Sequence, residues 1–273
     1  MDKINFHQNI HPLKRENKGY CIFCNTQLTK KNTTREHVIA EWLIEYLNIR
    51  ELEISPTIYN PLLEKNTAER NFHTLNNFRA GSVCKTCNEG WMSQLEIETM
   101  DVLKKLIYSS IEIKDIPTHK KNILAKWIFK TILVLNTASN FYKNIPGYHY
   151  KDIFEGSLPG NLLITATPYL ADRPYKHFET SAWTGENTTI EELKEIASNA
   201  YKVSLQLGNI IFMVAYCPDN NWKYNLVEDI HKIIHKPEKM NLDYYSNDNR
   251  KYFYLDSENA TLYVALNLEI SKR

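Results

Sequence analysis

The sequence predicts an α+β protein in which a zinc-stapled N-terminal domain is followed by helices and a mainly antiparallel C-terminal α+β domain. Two Cys-x-x-Cys pairs stand near the start, helical apolar spacing dominates between residues 88 and 138, and β-branched, alternating runs follow Pro146. The length of 273 residues allows one large domain or two ordinary ones. We predict a metal-bound domain over residues 1–110, and a helical linker with an accessory domain over residues 111–273.

Composition narrows the class of protein. The chain is 43% hydrophobic and 24% charged, which is typical of globular proteins and excludes disordered and fibrous ones. No stretch reaches the ~18 uncharged apolar residues of a membrane helix, and the first 20 residues lack the apolar segment of a signal peptide. We therefore expect a cytoplasmic protein without a membrane partner. Residues 1–150 carry 20 Lys and Arg against 15 Asp and Glu, so any polyanion is expected to bind the first half.

Local patterns predict each element of the N-terminal domain in turn. Residues 20–28 are typical of a tight turn on a short hairpin. The capping-box spacing of residues 33–36, followed by apolar residues on one helical face, predicts a helix that begins near His37. Residues 48–77 are rich in Pro, Asn and Thr and are predicted to form an inserted loop with little regular structure. A strand over residues 76–83 then leads into the second cysteine pair.

Helices and then strands are predicted downstream. Apolar residues recur at helical spacing over residues 88–108, and residues 120–138 are apolar nearly all round, which is typical of a buried helix. Period-two alternation predicts a strand over residues 162–170 and a hairpin whose strands flank Gly208. The other predicted elements are a hairpin with strands at residues 252–256 and 261–268, and a short acidic helix over residues 190–200.

The cysteines predict a structural zinc site. Cys21 and Cys24 repeat the spacing of Cys84 and Cys87, and four thiolates complete the tetrahedral shell of Zn²⁺. Such a shell leaves no open position, so its zinc is structural rather than catalytic. The 59 residues between the two pairs require a folded insert that brings them together. Cys217 stands alone in an apolar stretch and is interpreted as a buried core residue.

Three polar residues near these cysteines suit the hydrolysis of a phosphodiester bond. That reaction needs an activated water and a divalent ion that offsets charge on the transferring phosphate. Glu36 and Asn88 offer oxygen ligands of the kind that Mg²⁺ and Mn²⁺ prefer. His37 can accept a proton from water near neutral pH. Each part of the reaction therefore has a candidate residue.

These motifs resemble those of the HNH, or ββα-metal, endonucleases in their treble-clef form with four zinc-binding cysteines. The matching residues are Cys21-x-x-Cys24, Glu36-His37-Val38-Ile39 and Cys84-x-x-Cys87-Asn88, followed by residues 89–96. The resemblance spans residues 21–96, which is 76 of the 273 residues. It implies His37 as the general base and Glu36 and Asn88 as ligands of a catalytic ion, with the four cysteines on structural zinc.

The resemblance also implies a substrate and cofactors. A member of this family is expected to hydrolyse DNA, here double-stranded DNA, with structural Zn²⁺ and catalytic Mg²⁺ or Mn²⁺. Small stand-alone proteins of this kind resemble components of bacterial restriction or anti-phage systems. Many members have Asp where Glu36 stands, a change that keeps the carboxylate. Many also have an Asn before the second cysteine pair that positions the loop of the base, and Asn77 is the nearest candidate.

Further residues are candidates for binding. Arg79 and His73 precede the second cysteine pair and could contact the scissile phosphate, although an Arg or His in a loop is also common on a solvated surface. Lys126 and Lys130 are four residues apart, as expected for a nucleic-acid groove or equally for the polar stripe of a buried helix. The neutral to acidic C-terminal domain is predicted to form a homodimer, bind a partner protein or sense a trigger.

Two other functions remain open from the sequence. A non-catalytic zinc module that recognises nucleic acid or a protein would use Glu36 and His37 as helix-start residues. A nuclease would bind a second divalent ion that a chelator removes without loss of the fold, whereas a module would bind zinc only. The third hypothesis places RNA in the catalytic site, and product analysis on both polymers would separate it from DNA cleavage.

Overall fold

A computed structural model of the chain shows a mixed α+β fold with antiparallel sheets, which confirms the predicted fold class at this level. None of the helices in the described part of the chain is both long enough and apolar enough to cross a membrane. The structure describes residues 19–54, 57–60, 65–69, 73–138, 145–170, 173–181, 200–245 and 260–272.

Short strands precede a block of helices, and longer strands follow. The first elements are β1 (Thr33–His37), α1 (Glu41–Tyr46), β2 (Glu53–Ile54), β3 (Thr57–Asn60), β4 (Lys65–Glu69), β5 (His73–Thr74), β6 (Arg79–Cys84), α2 (Lys85–Cys87), α3 (Ser93–Ile107) and α4 (Thr118–Ala138). The later elements are α5 (Tyr148–Phe154), β7 (Leu162–Pro168), β8 (Tyr175–Ser181), β9 (Tyr201–Leu207), β10 (Ile210–Tyr216), β11 (Trp222–Val227), β12 (Lys232–His235), β13 (Asn241–Tyr245), α6 (Ala260–Leu266) and β14 (Leu268–Lys272).

Strands β1 and β6 form a two-stranded antiparallel sheet that organises the N-terminal region. Thr33 lies opposite Cys84 at one end of the pair, and His37 lies opposite Arg79 at the other. The predicted strand before the second cysteine pair is confirmed as β6. The predicted helix start near His37 is wrong, because His37 ends β1 and α1 begins at Glu41. Pairing with β6 outweighs the local capping pattern, which β-branched threonines in the same segment oppose.

The insert between α1 and β6 contains paired strands. β2 pairs with β5 and β3 pairs with β4, both antiparallel. The prediction of a loop with little regular structure over residues 48–77 is therefore wrong. β-branched and aromatic residues of Thr57–Asn60 favour a strand, and the surrounding Pro and Asn residues concealed that preference.

Helices α3 and α4 pack against each other, and α4 also contacts β6. The predicted buried helix is confirmed as α4, whose side chains are buried without interruption from Trp127 to Asn136. The helix predicted over residues 88–108 begins as one π-helical turn at Asn88–Met92, in which Gly90 departs from helical angles (φ −91°, ψ −112°), and continues as α3.

The second half is built on a five-stranded sheet with the order β12-β7-β10-β9-β8, in which every neighbouring pair is antiparallel. Strand β7 and the β9–β10 hairpin around Gly208 confirm two predictions. A three-stranded sheet, β13-β11-β14, packs against one face of the larger sheet. Its β11–β13 pair is parallel.

One predicted strand is wrong. Residues 261–268 form α6 and the start of β14, since Thr261, Val264, Ala265 and Leu268 are buried at the helical spacing i, i+3, i+4 and i+7. The partner strand predicted at residues 252–256 and residues 190–199 of the predicted acidic helix lie outside the described residues.

One buried apolar cluster runs through the chain from Cys21 to Ile234. It joins the β1–β6 pair, α3 and α4 to one face of the five-stranded sheet. A second cluster fills the opposite face, between that sheet, the three-stranded sheet and α6. The first cluster includes residues on both sides of the predicted domain boundary between residues 110 and 111. That boundary stays a prediction.

Candidate metal centre and adjoining polar site

The β1–β6 pair brings the four predicted zinc ligands together at one end. The first cysteine pair lies on the turn before β1, where the Ile22 N–H donates to the Ser82 carbonyl of β6 at 3.0 Å. The second pair lies where β6 ends and α2 follows. The four residues are Cys21, Cys24, Cys84 and Cys87.

The geometry of this cluster fits a tetrahedral metal ion. All four sulfur atoms lie within 4.8 Å of one another. The Cys21 and Cys87 sulfurs are 3.9 Å apart, and those of Cys24 and Cys84 are 3.5 Å apart. Zinc–sulfur bonds of about 2.3 Å in a tetrahedron separate the sulfurs by about 3.8 Å. These four cysteines could therefore hold a metal ion, and the donor set is compatible with structural zinc.

Hydrogen bonds within the cluster favour the thiolate form of Cys21, whereas burial raises the pKa of Cys84 and the hydrogen bond with Cys21 raises the pKa of Cys87. The Cys84 N–H donates to the Cys21 sulfur and the Cys87 N–H donates to the Cys84 sulfur, each at 3.4 Å. Hydrogen bonding with Cys87 lowers the pKa of Cys21 to about 4 despite burial. Cys217 lies apart and is buried, as predicted, and burial raises its pKa to about 11. Within the described ranges, the cluster is the one group of three or more His, Cys, Asp or Glu side chains placed to hold a metal ion.

Asn88, which follows the last cysteine, is fixed on β1. Its Nδ2 donates to the Thr34 hydroxyl at 3.1 Å, and that hydroxyl donates to the Val83 carbonyl at 3.2 Å. The structure thus places Asn88 beside the strand that carries Glu36 and His37.

The Glu36 side chain is directed into a buried cluster of charges. Glu36 is only 6% exposed, and its Oε1 lies 3.7 Å from Nζ of Lys130 on α4. The same ammonium group lies 2.8 Å from Oε1 of Glu96 on α3. One ammonium group is therefore shared between two carboxylates.

The pKa values reflect this arrangement. Burial raises the pKa of Glu36 to about 7, although Lys130 acts against the rise. Burial lowers the pKa of Lys130, but the charges of Glu96 and Glu36 outweigh that effect and leave it above the ordinary value. Lys130 lies closer to Glu96 and balances the charge of that carboxylate. Burial of Glu36 disfavours its charged form, and the shared ammonium group offsets this effect only in part.

The His37 side chain lies half-buried at the end of β1, opposite Arg79. Burial and the charge of Arg79 lower the pKa of His37 below its ordinary value, so the imidazole is neutral at neutral pH. Its Nδ1 is buried and has no hydrogen-bond partner within the part of the chain that the structure describes. A neutral imidazole at this position can accept a proton from water.

An open cleft of about 310 Å³ adjoins this end of the strands. The Nε of Arg79 donates to the Asn76 carbonyl at 2.9 Å. The Asn77 amide donates to the Thr74 hydroxyl at 3.1 Å, whereas the segment after His37 is held by the bond from the Val38 N–H to the Phe78 carbonyl. The cleft is lined by Arg35, Asn77, Arg79 and Gly81.

Sequence reasoning found part of this site. His73 lies in β5, and its side chain is outside the described residues. Lys130 is fully buried against carboxylates, which excludes the nucleic-acid groove, one of the two interpretations that its spacing left open. Glu96 and Arg35 were missed as site residues. The sequence does contain a signal for the contact of Lys130 with Glu96. Lys130 stands in the middle of a helix that is apolar on nearly every side, and a lysine that stays charged when buried is usually paired with a carboxylate.

Comparisons of this chain with protein families, with curated proteins and with solved structures find no match.

Proposed function

We propose that this chain is a metal-dependent endonuclease of the HNH type that hydrolyses phosphodiester bonds of double-stranded DNA. The observation that carries the proposal is the arrangement along the β1–β6 pair. The four-cysteine cluster closes one end of the two strands, where Thr33 lies opposite Cys84. A neutral His37 stands opposite Arg79 at the other end, beside an open and basic cleft.

The residues of this chain supply distinct parts of the reaction. His37 accepts a proton from the attacking water, since its lowered pKa keeps the imidazole unprotonated at neutral pH. Arg79 neutralises charge on the scissile phosphate. The four cysteines bind zinc, which fixes the turn and the strand end and takes no part in the chemistry.

The resemblance also assigns a divalent ion, Mg²⁺ or Mn²⁺, to Glu36 and Asn88. The donor set fits a hard cation in that Glu36 and Asn88 both offer oxygen ligands and Asn88 is anchored on the strand that carries Glu36. The Glu36 carboxyl group, whose pKa burial raises to about 7, would hold the ion in its ionised form. When bound, the ion would offset negative charge on the phosphate and the leaving oxygen.

The central test is a plasmid-nicking assay with the purified chain and the variant His37→Ala. We expect His37→Ala to lower the rate of Mg²⁺-dependent nicking by about 10²- to 10⁴-fold, because a general base is lost. Bound zinc and the thermal unfolding curve should be unchanged. The matched control is His119→Ala, which removes an exposed histidine at the start of α4. Wild-type rates in His37→Ala would overturn the mechanism.

A second candidate function is a non-catalytic zinc module that binds nucleic acid or a protein. The contact between Glu36 and Lys130 favours it, because a carboxylate beside an ammonium group has less need of a divalent ion. Titration calorimetry with Mn²⁺ separates the two functions. A nuclease binds a second, chelator-labile ion without change of fold, and a module binds zinc alone.

Substrate and context are part of the same proposal. Parallel assays on DNA and RNA decide the polymer, since the reaction chemistry suits both. We propose a homodimer or a partner protein for the C-terminal region, and a role in bacterial restriction or anti-phage defence. Light scattering of the intact chain tests the dimer, and survival of phage challenge by cells that carry His37→Ala tests the role.

A further inference from the structure

Gly81 occupies a strand position at which the fold does not require glycine. It lies within β6, and its backbone is outside the left-handed region that favours glycine. A Cβ atom built on Gly81 would meet no atom of the described residues within 4 Å. Glycine in a strand costs conformational entropy and offers no side chain to pack. Side-chain packing therefore does not require this glycine, which lies where the pairing of β6 with β1 shifts register.

The space above Gly81 is positively charged. The cleft that contains it is flanked by Arg35 of β1 and Arg79 of β6, and no Asp or Glu of the described part of the chain lines it. Within the described ranges, neither arginine forms an ion pair with a carboxylate; Arg79 uses its Nε on the Asn76 carbonyl. Two guanidinium groups beside an open space favour an anion with several oxygen acceptors.

The space above Gly81 lies near the end of the β1–β6 pair that carries His37, the candidate general base. Gly81 lies two residues from Arg79 along β6, and Arg79 lies opposite His37. Gly81 and Arg79 are both exposed and line the same cleft, so they lie on the same face of β6. A chain of phosphates that passes over Gly81 therefore reaches the side of Arg79 and His37.

We propose that the cleft over Gly81 binds the sugar–phosphate backbone of one nucleic-acid strand, with Arg35 and Arg79 in contact with its phosphates. The glycine lets the backbone of the ligand approach the protein backbone closely. This inference rests on the proposed function and names the subsite that would hold its substrate. Because the contacts are to phosphate, binding is independent of base sequence and weakens steeply with salt.

The test is fluorescence anisotropy of a labelled DNA duplex with the intact chain in buffer without added divalent ions. We expect Gly81→Glu, which places a carboxylate in the cleft, to weaken binding at least about tenfold. Arg35→Gln should lower the slope of log affinity against log salt by about 1. The matched control is Gly147→Glu, since Gly147 is also exposed and, among the residues that the structure describes, its added Cβ would also meet nothing within 4 Å.

The outcomes separate this inference from the nuclease proposal. If Gly81→Glu binds DNA with wild-type affinity, the proposed binding cleft over Gly81 is wrong. If His37→Ala nicks plasmid at the wild-type rate, only the proposed catalytic mechanism is wrong. Polyglutamate that displaces the DNA at equal charge concentration overturns the phosphate assignment in favour of an acidic protein. If Gly81→Glu loses zinc or unfolds, Gly81→Ser and Arg35→Gln decide the matter, and affinity unchanged in both overturns the proposal.

Discussion

One buried lysine lies on α4, which packs against β6, and another lies in the five-stranded sheet, and the two lysines have opposite surroundings. Lys130 and Lys202 are both 1% exposed. The Lys130 ammonium group lies between the carboxylates of Glu96 and Glu36. The Lys202 ammonium group donates to the carbonyls of Ala265 at 3.0 Å and Leu268 at 2.8 Å, where α6 ends.

The pKa values of the two lysines differ accordingly. Burial lowers the pKa of Lys202 to about 7, and the charge of Glu269 only partly opposes it. The pKa of Lys130 is raised, because two nearby carboxylates outweigh its burial. Lys202 completes the C-terminus of a helix, which is a structural role. Lys130 holds charged groups of β1 and α3 together beside the candidate catalytic end.

Two glycines, Gly208 between two strands of the five-stranded sheet and Gly81 in β6, also differ in whether the fold requires them. Gly208 in the β9–β10 turn has a φ of +55°, and a Cβ atom there would lie 2.6 Å from Cγ2 of Ile107. Both facts require glycine. Gly81 in β6 has neither constraint. The fold thus requires glycine at position 208, whereas neither its backbone angles nor a close contact requires glycine at position 81.

The largest effect is expected when Lys130 is replaced by Met. This change leaves Glu36 and Glu96 without their cation, so the free energy of unfolding at pH 7 should fall by about 3–5 kcal/mol. Urea unfolding followed by fluorescence measures the loss. Lys126→Met on the same helix, which removes a half-exposed lysine, is the control and should cost under about 0.5 kcal/mol. Adding Glu96→Gln to Lys130→Met should restore part of the loss, and a stable Lys130→Met protein would remove the contrast between the lysines.

The pH dependence of stability should single out Lys202. Its pKa is lowered to about 7, so between pH 7 and 10 the unfolded chain binds a proton that the folded chain lacks. The contribution of Lys202 to stability therefore rises with pH across that window, by up to about 1.4 kcal/mol per pH unit, and is lost as the pH falls through 7.

The measurement for Lys202 is the difference in unfolding free energy between the wild type and Lys202→Met at pH 7, 8 and 9. At pH 7 the variant should lose about 1–3 kcal/mol, because two carbonyls lose their donor. The difference should then grow with pH. A difference that stays flat would mean that Lys202 is charged, as Lys130 is, and the two regions would no longer differ in this respect.

Local patterns predicted the elements that depend on nearby residues. The apolar run of α4, the alternation of β9 and β10 around Gly208 and the paired spacing of the cysteines are all short-range signals. The start of α1 was misjudged because the choice between helix and strand at His37 depends on pairing with β6, which is more than 40 residues away.

In the polar site too, local sequence patterns do not predict contacts between residues that are distant in sequence. Glu36, His37 and Asn88 could be found as motif residues, but the contact of Lys130 with Glu96 joins residues 34 apart in sequence on two different helices. No periodicity carries that information. Gly81 was not singled out either, since the sequence does not show that the space above this residue is open.

The smallest effects are expected from alanine at the two glycines, and they test whether Gly81 is free of structural constraint. Gly81→Ala should leave the unfolding free energy unchanged or raise it by up to about 1 kcal/mol, because the added methyl group meets nothing and the unfolded chain loses freedom. Gly208→Ala should lower it by about 1–3 kcal/mol, since the methyl group would collide with Ile107 and the φ of +55° strains any L-residue. Thermal unfolding of both variants gives the comparison. A destabilised Gly81→Ala protein would mean that internal packing does require this glycine, and the open space above Gly81 would then not indicate a bound ligand.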